Sequence, residues 1–175
     1  MRKTLIALFV IYLALLVWVI LWKAHLPFIG RDDMREIKLV PFVSGEGYGS
    51  SAPVELLVNL LLFVPLGMYL AALRARLPAL IVIGVSVALE IAQFVLATGS
   101  SDVTDVIVNT AGGLIGLGLF TLLRPRLPAV VGVLGVANLL ALVAIAVYTR
   151  SFPVMPPSGG VVIQSFVTFW TPCEN

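Results

Sequence analysis

Charge is scarce in this chain: Asp, Glu, Lys and Arg make up 11% of its 175 residues, against roughly a quarter in a soluble domain. Too few polar groups are present to cover a globular surface, which excludes a water-soluble fold. Histidine and cysteine each occur once, as His25 and Cys173. A lone cysteine excludes an internal disulfide, and a lone histidine in a flanking loop makes no ligand cluster, so neither a metal nor a cofactor is expected. The net charge is only +2 and the basic residues are scattered, a pattern that gives no footprint for nucleic acid.

What the chain has in place of charge is apolar length. Hydrophobic residues make up 60% of it and its mean hydropathy is +1.09. Five apolar stretches, at about 4–22, 54–73, 79–97, 103–123 and 129–148, are long enough to cross about 30 Å of hydrocarbon as helices. The reading is an all-α polytopic membrane protein, a single membrane domain over 1–175 with about five transmembrane helices. The first run follows Arg2-Lys3 like a signal peptide, but it is too long and no small-x-small cleavage site follows it, so it is read as a retained helix.

Basic residues orient the spans. Arg2 and Lys3, then Arg74 and Arg76, then Arg124 and Arg126 all fall on one side, while the 98–101 connection has no Lys or Arg. The amino terminus is therefore expected inside and the carboxyl terminus outside. A loop over 24–53 and a Pro/Gly-rich tail over 149–175 are then outer segments. The apolar run at 161–170 is too short to span. Trp18, Trp22, Tyr148 and Trp170 suit an outer aromatic belt.

The few polar residues inside the spans are arranged, not scattered. Glu55 and Asn59 lie four apart, Glu90 and Gln93 three apart, and Asp102, Asp105 and Asn109 follow one helical stripe. A short turn between the third and fourth spans implies an antiparallel pair in which Glu90 stands level with Asn109 and Gln93 with Asp105. Counted from that turn, Glu90 lies roughly 14 Å down its helix. A carboxylate there costs about 2.5–3.5 kcal/mol on insertion scales, so it faces the bundle interior and finds a partner or water. Plainer roles stand beside these. Asp102 and Asp105 suit helix capping, and Asn59, Gln93 and Asn109 suit interhelical hydrogen bonds. Gly112-x-x-x-Gly116, with Gly113, reads as close helix packing, and Pro65 with Gly67 as a kink.

These pieces, in this order, resemble the VanZ family of small membrane proteins. The matching segments are Arg35-Glu36-Ile37-Lys38-Leu39-Val40-Pro41-Phe42, then Asn59-Leu60-Leu61-Leu62-Phe63-Val64-Pro65-Leu66-Gly67. Glu90-x-x-Gln93 follows, then Asp102-x-x-Asp105-x-x-x-Asn109 with Gly112, Gly113 and Gly116 behind it. Lys38 stands where the family often has Asn, and the segment between Gln93 and Asp102 lacks an Arg often seen there. The resemblance implies a multi-pass protein of the bacterial cell membrane, in a family whose prototype is associated with teicoplanin resistance.

Three functions stay open. In the first, Arg35, Lys38, Glu55, Asn59, Glu90, Gln93, Asp102, Asp105 and Asn109 form an outward polar pocket that engages membrane lipids, a lipid-linked cell-wall component or a lipoglycopeptide. In the second, Glu90, Asp105 and Asp102 supply acid and base for an intramembrane enzyme acting on an envelope lipid or glycolipid. In the third, Glu90 is the proton site of a small transporter.

Overall fold

In hydrocarbon every backbone N–H and C=O must find a partner within the protein, so apolar runs of about twenty residues fold as helices. The protein follows that rule in a computed structural model that describes residues 2–22, 27–30, 35–42, 53–123, 130, 132–136, 138, 140, 161 and 162. In chain order the elements are α1 (Arg2–Trp22), β1 (Phe28–Ile29), β2 (Ile37–Lys38), α2 (Pro53–Ala72), α3 (Pro78–Leu96), β3 (Ser101–Asp102), α4 (Val103–Leu123) and β4 (Val161–Val162). All four helices carry stretches long and apolar enough to cross a membrane. Within the expected fifth span, residues 130, 132–136, 138 and 140 are described and all are helical. The rest of that span and most of the 149–175 tail lie outside the described residues, as does 43–52 in the first loop.

Glycine decides how α2 and α4 pack. A Cβ on Gly112 would overlap the carbonyl oxygen of Leu60, and one on Gly116 the carbonyl oxygen of Val64. Gly67, read from sequence as part of a kink with Pro65, lets α2 approach the Gly113 carbonyl of α4. Gly113 in turn makes room for the Val82 methyls of α3. Backbone-to-backbone contact of this kind replaces the hydrophobic effect, which cannot drive helix association in lipid.

Buried hydroxyls and amides fasten the remaining helices. Tyr12 of α1 donates to the Leu62 carbonyl of α2 at 2.6 Å. The Tyr12 and Tyr69 rings lie 5.4 Å apart, tilted by 34°. Asn138 donates to the Leu8 carbonyl and to the Tyr69 hydroxyl, at 2.8 and 3.0 Å. One amide thereby ties the 130–140 segment to both α1 and α2. Leu16, Phe63, Leu66 and Val82 fill the space between these polar pins.

The first loop folds back on the bundle. β2 pairs in parallel with β3, Ile37 opposite Ser101 and Lys38 opposite Asp102. β1 pairs antiparallel with β4, and the Trp22 indole N–H donates to the Phe28 carbonyl at 2.9 Å. These two-residue ladders leave the fold all-α and set the position of the polar residues.

Candidate functional site

The last carbonyls of α3 have no partner inside the helix and must be met from elsewhere. Local backbone closes two of them, with Ala97 in the left-handed region at φ 52°. Thr98 N–H donates to Gln93 O and Ala97 N–H to Phe94 O, the double bond of a Schellman end. The first loop meets the rest. Arg35 donates through Nε to Phe94 O and through Nη2 to Val95 O, both at 3.1 Å, and Gly30 N–H donates to Leu96 O at 2.9 Å. Arg35 is therefore a cap on the end of α3.

From that end the chain runs back alongside α3 before α4 begins. Ser101 N–H donates to Glu36 O at 2.8 Å, and its hydroxyl donates to the Glu90 carbonyl at 3.1 Å. Asp102 N–H then donates to the Glu90 carboxyl at 2.9 Å. Asp102 in turn caps α4: its Oδ1 accepts from Thr104 N–H at 2.7 Å, the expected role of an N-cap carboxylate. The Thr104 hydroxyl accepts Phe42 N–H from the first loop at 3.0 Å. Across the helix pair, Asn59 of α2 donates to Asp105 Oδ1 at 2.9 Å.

The structure thus gathers Asn59, Glu90, Asp102 and Asp105 from three helices around the start of α4, with Lys38 alongside in the β2 ladder. Glu90 and Asp102 are both buried, at 5% exposure each. Three of the expected site residues go elsewhere. Gln93 turns to α1, donating to Ile20 O at 3.0 Å. Asn109 donates to Ser86 Oγ at 3.1 Å, one turn deeper on α3 than the Glu90 level expected for it. The cause is the extended Ser101–Asp102 segment, which carries the start of α4 down to the Glu90 carboxyl. Glu55 sits exposed in the first turn of α2.

Residues 9–124 match the family model described as VanZ/LLP1, a stretch that holds α2, α3, α4 and the whole cluster. The chain belongs to the VanZ/LLP1 family. It is 32% identical over 121 residues to Protein VanZ of Enterococcus faecium, an alignment covering 66% of this chain and 72% of that protein. No solved structure matches it.

Within this VanZ/LLP1 chain, sequence reasoning missed Ser86 and Thr104, both fully buried. Each is a hydroxyl on a helix face next to a named polar residue, and that adjacency was the available signal. It also missed the Tyr12, Tyr69 and Asn138 pins, whose polar atoms inside apolar spans needed partners. Among the described residues no group of His, Cys, Asp and Glu side chains is placed to hold a metal ion.

The Asn59–Asp105 bond can be weighed directly. Replacing either residue by Leu takes this bond from the other, whereas replacing both removes the pair together. A double-mutant cycle read by denaturation in detergent should therefore give a coupling of about 1 kcal/mol, with the double variant less damaged than the two losses summed. Strict additivity would show that the bond does not form in the folded protein.

Proposed function

We propose that this chain is a multi-pass protein of the bacterial cell membrane that lowers susceptibility to teicoplanin-type lipoglycopeptides. It does so by engaging a lipid-linked envelope component at the Asn59–Glu90–Asp102–Asp105 cluster. The observation that carries this reading is the meeting of those side chains from α2, α3 and α4 at one end of the bundle. Carboxyl groups within a membrane domain are expensive and mark functional sites by default.

The chemistry around the cluster supports recognition. Backbone and side-chain hydrogen bonds hold the carboxyl groups in fixed positions, so they are ready to accept from hydroxyl or amide groups of a glycosylated or peptidyl headgroup. Arg35 and Lys38 lie beside them in the first loop, where cations attract anionic headgroups. On the orientation proposed from the basic residues at 74, 76, 124 and 126, this end of the bundle faces the outer leaflet. That is the side on which a lipoglycopeptide arrives.

A susceptibility assay in a teicoplanin-sensitive Gram-positive host tests the proposal. Expression of the wild-type chain should raise the inhibitory concentration, and Asp105→Ala, at equal membrane level, should remove the gain. A wild type that inserts well and protects nothing would sink the antibiotic reading.

A further inference from the structure

Residues 35–42 combine two properties that an aqueous loop does not need. The first is apolar exposure: Ile37 is 57% exposed, Leu39 73%, Val40 64% and Phe42 61%. The second is depth. α3 has 19 residues, about 28 Å of helix, which just matches the hydrocarbon thickness. β3 meets this helix at Glu90, and from Glu90 to the last residue of α3, Leu96, is about 9 Å of helix. α2 points the same way with a smaller figure. Its Asn59 meets Asp105 two residues inside α4, so the α2 tip at Pro53 stands about 6 Å above the start of α4. The tips of α2 and α3 thus rise above the start of α4, and β2 is paired in the recess between, at the level of Asp102.

From this depth and exposure we infer that residues 37–42 are immersed in the bilayer, with lipid acyl chains covering their apolar side chains. Non-helical backbone is tolerated at membrane depth only where protein or trapped water satisfies it. Here the protein does so at both ends of the segment. The β2–β3 ladder and the Ser101–Glu36 bond occupy backbone groups at the start of the segment, and the Phe42–Thr104 bond occupies the N–H at its end. The α3 carbonyls beside it are met by Arg35 and Gly30.

Lipid is the occupant because the surface is continuous in depth with the lipid-facing helices. Leu57, Val58 and Leu61 of α2, and Ile91 and Val95 of α3, are exposed in the same band. Arg35 anchors the entry of the segment at the tip of α3, where a cation reaches the headgroups. The segment is then the lateral wall of the polar cluster, so a lipid meets the apolar wall before it meets the carboxyls.

The test uses single-cysteine variants on a Cys173→Ser background, reconstituted in phosphatidylcholine nanodiscs with both faces open to water. Leu39→Cys and Val40→Cys are compared with Leu61→Cys on the lipid face of α2 and Arg76→Cys in the α2–α3 turn. Both loop side chains are exposed, so truncation leaves the packing intact. A bimane label at 39 or 40 should be quenched by lipid carrying a nitroxide at acyl carbon 5, to within about twofold of the label at 61. An impermeant maleimide should react with either loop cysteine about tenfold more slowly than at 76. Rapid reaction without quenching would place the segment in water and overturn the inference. Neither quenching nor reaction would mean that a second protein surface covers it, and would overturn it equally. Because the readout uses no antibiotic, it stands or falls apart from the proposed function.

Discussion

Gly116→Val should leave almost no folded protein in the membrane, while Gly118→Ala two residues away should leave the yield unchanged. The two glycines share a helix and a membrane environment and differ only in what stands beside them. A Cβ on Gly116 collides with the Val64 carbonyl of α2, whereas one on Gly118 meets nothing within 4 Å. Overpacking a side chain against flexible neighbours costs about 1–3 kcal/mol. Here the obstacle is backbone, which cannot rotate away, so α2 and α4 must separate. Separation also pulls Asn59 from Asp105, since that bond crosses the same pair of helices.

Gly112→Val should fail alike through the Leu60 carbonyl, and Gly84→Ala, in open space on α3, should be neutral or gain about 0.5–1 kcal/mol from helix propensity. Monodispersity on size-exclusion chromatography and the detergent denaturation midpoint measure all four. Equal loss at 116 and 118 would mean that helix flexibility, not close approach, is what these glycines supply.

The helices were legible because lipid leaves the backbone no other choice, and a run such as 103–123 announces itself by length. The faces were legible in part: Asn59 meets Asp105, and Asp102, which lies in β3 ahead of α4, fulfils the capping role its position suggested. What spacing does not encode is the register between faces. The depth of α4 against α3 is set by β3 pairing with Ile37 and Lys38, some sixty residues upstream. Asn109 consequently finds Ser86 instead of Glu90. Gln93 shares a helix face with Glu90, yet its amide reaches α1, because a face has width and two neighbours can share it. Gly67 has a packing role that its spacing did not show, its nearest obstacle being a carbonyl on another helix.

Glu90 offers the sharpest separation between holding and reacting. Its carboxyl accepts the Asp102 N–H at the head of α4, and both residues are nearly sealed from solvent. Glu90→Leu removes that acceptor and strands a buried donor, a loss of about 1–3 kcal/mol, so stability and protection should fall together. Glu90→Gln keeps an amide oxygen in reach of the same N–H, and its denaturation midpoint should stay within about 1 kcal/mol of wild type. If the cluster recognises a headgroup, this variant retains most of the protection, because shape and acceptor persist while charge goes. If Glu90 exchanges a proton during a reaction, Glu90→Gln protects no better than Glu90→Leu despite its intact fold. Inhibitory concentration plotted against denaturation midpoint for the three proteins decides the matter. Recognition puts Glu90→Gln beside the wild type, whereas proton transfer drops it to the floor at unchanged stability.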